Sequence, residues 1–115
     1  MATAYQVIGQ AVPASTTAAG ASSNLTTLYT SASTSTIVST ITICNQSTSA
    51  QTYRVSVRVA GAGDTPKQYV AYDVSLPAAA TDTLTLGITL ANTDVISIAA
   101  SSTAVSFNAF GSITA

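Results

Sequence analysis

The stretch Thr52-Tyr53-Arg54-Val55-Ser56-Val57-Arg58-Val59 alternates without a break, apolar at every odd position and polar at every even one. That period of two is the signature of a β-strand with one face in a core and the other toward water. A second β-branched run, Ser35 to Asn45, precedes it across the polar segment Gln46 to Ala50. Two such runs so close in sequence predict an antiparallel hairpin with a longer loop. In the first run Ile37, Ile41 and Ile43 are expected on one face and Thr40 and Thr42 on the other, with Val38 and Cys44 less cleanly placed.

The rest of the chain repeats the theme. Tyr5 to Val12 reads as a short strand stopped by Pro13, which has no amide hydrogen to give a ladder. Ala14 to Asn24 is a small-residue linker, open to reading as a partner-ordered arm or as an ordinary loop. Leu25 to Thr30 predicts a further strand. Gly61-Ala62-Gly63-Asp64-Thr65-Pro66 is turn chemistry. Lys67 to Leu76 alternates imperfectly: Val70, Tyr72 and Val74 are expected inward, and any bulge would flip them. Thr81 to Leu90 alternates cleanly, with Leu84, Leu86, Ile88 and Leu90 on one face. Val95 to Ala99 and Thr103 to Phe110 are expected to close a final hairpin.

About eight short strands with no amphipathic helix predict an all-β, single-domain antiparallel β-sandwich, jelly-roll-like or Ig-like. Its expected core includes Ile41, Val55, Val57, Leu84, Leu86, Ile88, Ile96 and Phe107. The expected division is an N-terminal strand and flexible arm over 1–24 and a sandwich over 25–115. At 115 residues there is room for one core.

Charge narrows the function classes. Arg54, Arg58 and Lys67 are the only bases, Asp64, Asp73, Asp82 and Asp94 the only acids, and histidine is absent. The difference is made up by 36 Ser and Thr and 21 Ala. Three dispersed bases cannot neutralise a run of phosphates, so direct nucleic-acid binding is not expected. No apolar run is long enough to span a bilayer as a helix, and the N-terminus has neither a basic n-region nor an apolar h-region, so neither membrane association nor a signal peptide is expected. Weak repulsion between copies favours association.

Catalytic chemistry has little to work with. Without histidine and with one cysteine, the usual zinc sites and histidine-activated nucleophiles are unavailable. Cys44 lies in a strand and is expected to pack as a small hydrophobe. The aspartates are scattered through turns and strands, short of the six or more oxygens that calcium takes. No cofactor, metal site or catalytic residue is expected, and the chain reads as a structural or binding module. Arg54 and Arg58 share one strand face with Ser56 between them, and Tyr72 is expected nearby. That face is either solvated and guarding against edge pairing, or a contact between subunits. Asn24-Leu25-Thr26 and Asn45-Gln46-Ser47 match the glycosylation pattern, which chance explains in so hydroxyl-rich a chain.

Several segments taken in order carry a resemblance that composition does not. Tyr5-Gln6-Val7-Ile8-Gly9-Gln10, Thr27-Leu28-Tyr29-Thr30 and Thr34 through Asn45 are followed by Tyr53 to Arg58, Tyr69 to Asp73, Leu84 to Leu90 and Val105 to Asn108. Together they resemble short virion structural proteins of tailed phages, cyanophages in particular. The resemblance implies a decoration or cement protein on the outside of the capsid, with the major capsid protein and further copies of itself as partners, as dimers or trimers. A tail, neck or fibre module is the alternative. Such a role calls for an arm that orders on docking, and the N-terminal segment through Asn24 is the candidate, adding a strand to a neighbour's exposed sheet edge. The candidate interface residues are then Tyr5, Val7, Ile8, Arg54, Arg58 and Tyr72. Deleting residues 2–24 is expected to leave a folded domain that attaches weakly.

Overall fold

The computed structural model describes residues 3–13, 25–32, 34–63 and 65–114. Nine strands are present among them: β1 (Thr3–Ala11), β2 (Thr26–Thr30), β3 (Ser35–Asn45), β4 (Gln51–Arg58), β5 (Tyr69–Leu76), β6 (Thr81–Leu84), β7 (Ile88–Ala91), β8 (Val95–Ala100) and β9 (Val105–Thr114). They form two antiparallel sheets. One runs β1-β9-β3-β6, with β7 also on β3, and the other β2-β8-β4-β5. The pairs are nested: β4 with β5, β3 with β6 and β7, β2 with β8, β1 with β9. Rolling that nest over itself adds the pairs β3·β9 and β4·β8, which is the jelly-roll form of the sandwich.

The core lies between the sheets. Ile41, Ile43 and Phe107 from the first sheet meet Tyr53, Val55, Ile96 and Ile98 from the second. Each such side chain contributes roughly 1.5–3 kcal/mol by leaving water. Tyr53 and Phe107 stack edge to face with centroids 6.2 Å apart. The Tyr53 hydroxyl crosses to the other sheet and donates to Asp82 Oδ2 at 2.9 Å.

Neither expected hairpin forms. β3 pairs with β9 along ten positions and β4 pairs with β8, so the 46–50 segment crosses between sheets. Asn45 fixes that corner. Its buried side-chain amide donates to the carbonyls of Ser49, Leu76 and Pro77, and its oxygen accepts from the Ser47 amide and hydroxyl. β8 and β9 also lie in different sheets, and their corner is tied to β4 through the Ser101 amide, which donates to the Thr52 carbonyl at 2.9 Å.

Bulges account for the other departures. The β3·β9 register shifts between Val38 and Thr40, so Val38 points inward with Ile41 and Ile43 while Ile37 turns out, 47% exposed. Opposite that kink the expected Thr81 to Leu90 strand breaks. Its halves pair with Ile41–Cys44 and Ser35–Val38 of β3 respectively, joined through Gly87 at φ 63°. Leu86 falls in the break and is half exposed, not core. Leu84, Ile88 and Val57 pack partly buried against the core. In β5 the left-handed Asp73 (φ 50°) produces the flip: Ala71 and Leu76 are buried, while Val70 and Tyr72 are exposed.

β1 is a full member of its sheet, paired with β9 from Thr3 to Ala11. The strand part of the expected 1–24 arm therefore belongs to the sandwich, and removing it would strip β9 of one neighbour. Residues 14–24 lie outside the described residues.

Candidate interaction faces

β9 is flanked by β1 and β3, and its register sets the outward rows. Tyr5, Ser112 and Ile37 stand in one row; Val7, Phe110 and Thr40 stand in the next. Tyr5 is 85% exposed and Val7 51%. With Ser39 these side chains line a shallow trough of about 640 Å³. The Ser39 hydroxyl donates to the Phe110 carbonyl at 3.1 Å across the bulge. A glycine is needed beside it: a Cβ on Gly111 would run into the Ile37 carbonyl oxygen. None of β1, β3 or β9 carries a charged residue, so the whole face is neutral.

The second sheet's outer face differs. Ile96 and Ile98 of β8 enter the core, yet the outward Val95, Ser97 and Ala99 are buried as well. The two arginines of β4 lie across them. Arg58 Nε donates to Ser97 Oγ at 3.0 Å, and its Nη1 reaches the Ala62 carbonyl at 3.2 Å. Arg54 grips Asp73 with two bonds, Nε to Oδ1 at 2.6 Å and Nη2 to Oδ2 at 3.1 Å. The Arg54 guanidinium also sits 4.1 Å from the Tyr72 ring centre, and Tyr69 meets Tyr72 edge-on at 5.1 Å. The expected wet face of β4 is thus covered, with Arg54 at 6% and Ser56 at 0% exposure. The hydroxyl of Ser56 has no hydrogen-bond partner among the described residues.

The electrostatics follow from these contacts. The hydrogen bonds to Asp73 raise the already high Arg54 pKa further, and the same bonds hold the Asp73 carboxyl below its ordinary value. Burial, helped by the hydrogen bond to Asp82, pushes the Tyr53 hydroxyl well above its ordinary range. Asp94 accepts from the amides of Ala60 and Ala91, each at 2.9 Å, and so braces two turns. Asp64 lies outside the described residues. Among the described residues no three of His, Cys, Asp or Glu gather where they could hold a metal ion, and no helix is long and apolar enough to cross a membrane.

The sequence-derived candidates therefore divide. Tyr5 and Val7 come together on the neutral face. Ile8, beside the bulge between Val7 and Gly9, packs partly buried against the core. Arg54, Arg58 and Tyr72 lie on the other sheet, where the arginines are engaged internally. Sequence reasoning passed over Ile37, which the bulge in β3 turns outward, Phe110, which the unbroken alternation of β9 places on the face away from the buried Phe107 and Ala109, and Asp73, whose partner is visible only once β5 is bulged. Of the two glycosylation matches, Asn45 is fully buried and committed to its corner, so the folded chain cannot present it; Asn24 lies outside the described residues. No protein-family model matches the chain, and no curated protein is detectably similar to it.

Proposed function

We propose that this chain is a virion structural protein that binds the outer surface of a phage head and stabilises the shell. One observation carries the reading: the exposed apolar residues Tyr5, Val7 and Ile37 share a charge-free sheet face with Phe110. Contiguous exposed apolar surface of this kind marks a place where another macromolecule docks. A neutral, hydroxyl-rich sandwich braced by buried corners suits a rigid module repeated over many equivalent sites, where weak single contacts add up. The resemblance of the ordered segments to short phage virion proteins supplies the shell as the docking partner. Fold alone does not, since jelly rolls serve capsids and lectins alike.

A second reading, a tail, neck or fibre module that touches a receptor, draws on Tyr72. It is 58% exposed beside Val70 and is held in place by Arg54. Immunogold labelling of intact particles of the encoding phage separates the two. Label over the head surface is expected, label at the tail favours the second reading, and unlabelled particles overturn both.

A further inference from the structure

The geometry points to a two-fold dimer formed by edge-to-edge pairing of β1 with β1 of a second copy. It deepens the reading of the chain as a module used in many copies and rests on that reading only for the choice of a second copy as occupant. The four sheet edges are unequal. β2 is five residues long and bulged between Thr27 and Tyr29. β5 carries the Asp73 bulge and is closed by Pro77. The β6–β7 edge is interrupted around Gly87 and contains Asp82. Short length, bulges, proline and charge are the devices that stop edges from pairing.

β1 has neither charge nor proline, and its bulge falls between Val7 and Gly9, leaving Thr3 to Val7 straight. Ala4, Tyr5, Gln6 and Val7 are all exposed, so neither sheet face of this segment is covered. Among the described residues no strand pairs with its outer edge.

A second copy fits for a reason of pattern. Antiparallel pairing about a two-fold at Tyr5 keeps all five straight residues in register, with Thr3 opposite Val7 and Ala4 opposite Gln6. The same symmetry places Tyr5 and Val7 of both copies on one face. The two troughs then join into one apolar band across the dimer, with no charge to bury on either side. The contact is isologous and closes after two copies, so it yields a dimer and not a fibre. An edge contact of about five residues a side is small, so a weak, reversible dimer is expected.

The test is sedimentation velocity of the intact, N-terminally untagged chain from about 5 to 500 µM. A reversible monomer–dimer equilibrium is expected; Tyr5→Lys with Val7→Lys should raise the dissociation constant at least tenfold, and Ile37→Lys should change it less than threefold. Circular dichroism and thermal unfolding confirm that each variant is folded. A geometric arm uses Cys44→Ser with Tyr5→Cys, which should oxidise to a disulfide-linked dimer because directly opposed strand residues have Cβ atoms about 5 Å apart. Ile37→Cys in the same background should not cross-link. A chain monomeric at 500 µM overturns the proposal, as does cross-linking through Ile37→Cys in place of Tyr5→Cys, which would indicate face-to-face packing. A chain monomeric alone that pairs, dependent on Tyr5, with a strand of another protein overturns the choice of occupant. Head labelling by a strictly monomeric chain would sink this inference and leave the proposed function standing; a dimer absent from particles would do the reverse.

Discussion

Arg54 and Asp73 form the chain's one ion pair among the described residues, and the two ends are unequally buried: side-chain exposure is 8% for the arginine and 43% for the aspartate. The arginine needs the carboxylate more than the reverse, because a guanidinium without its counter-charge is the costly species in a dry setting. Asp73→Asn keeps a residue type that tolerates the left-handed backbone but withdraws the charge. It should destabilise the fold by about 1 kcal/mol, the solvent-facing carboxylate limiting the effect. The sign of the pH dependence follows from the depressed Asp73 pKa. Its contribution is present above the ordinary carboxylate value of 3.8 and is lost as pH falls through the lower folded-state value. Thermal unfolding between pH 2 and 6 should show an acid decline that is shallower in Asp73→Asn. Tyr53 behaves oppositely, since its pKa is raised on folding. Its contribution is complete below the ordinary value of 10.0 and is lost as pH rises beyond it. Tyr53→Phe should cost about 1 kcal/mol at pH 7 through the lost bond to Asp82 and should flatten the alkaline decline above pH 10; an equally steep decline in the variant would rule out Tyr53 as its source.

Among the elements, the Asn45 corner and the β6–β7 break matter most. Asn45 satisfies three carbonyls and the Ser47 amide and hydroxyl from a fully buried position, so Asn45→Ala leaves several backbone groups without partners and should cost about 2–4 kcal/mol by denaturant unfolding. Asn45→Asp, which keeps the oxygen but loses the donor, should not rescue it. The break makes a sharper comparison, because Leu86 and Leu90 share one alternating run in sequence. Leu90 is fully buried and Leu86 half exposed. Leu90→Ala should lose about 2–5 kcal/mol and Leu86→Ala less than about 0.5 kcal/mol; near-equal losses would mean the strand is continuous. That pair also shows where sequence stops informing. The alternation around Val55 gave the inward residues of β4 correctly because no register shift reverses the strand's faces. Along β3 and β5 one bulge or one left-handed residue reverses the faces, whereas the 81–90 run keeps Leu84, Ile88 and Leu90 on one side and loses only Leu86 to the break. Nothing local at Ser39 or Asp73 announces it, since a bulge answers to the curvature of the whole sheet. The neutral trough was partly legible: Tyr5 and Val7 were singled out, Phe110 follows from the alternation of β9 beside the inward Phe107, and only Ile37 needed the bulge in β3.

At the scale of the molecule, pairing is a competition that distant strands win. β3 and β4 are neighbours in sequence, yet each is paired on both edges by strands from elsewhere in the chain, so proximity alone predicts hairpins that do not form. The nested order that results has a kinetic consequence. Closing β4 onto β5 spans about ten residues, whereas bringing β9 back to β1 spans about ninety; loop-closure entropy makes the outer pair roughly 2 kcal/mol harder to form first. The inner pairs, once made, shorten the effective loop for the next, so the roll should assemble from β4–β5 outward and fold on the millisecond-to-second scale of long-range β topologies. Mutational analysis of folding rates can read this directly. Val55→Ala and Leu76→Ala, on the inner pair, should slow folding with φ-values of about 0.5 or more. Ile8→Ala, on the outermost strand, should chiefly speed unfolding, with a φ-value near zero. High φ at Ile8 with low φ at Val55 would mean that the chain ends meet first, and the nested pairing would then describe only the finished fold.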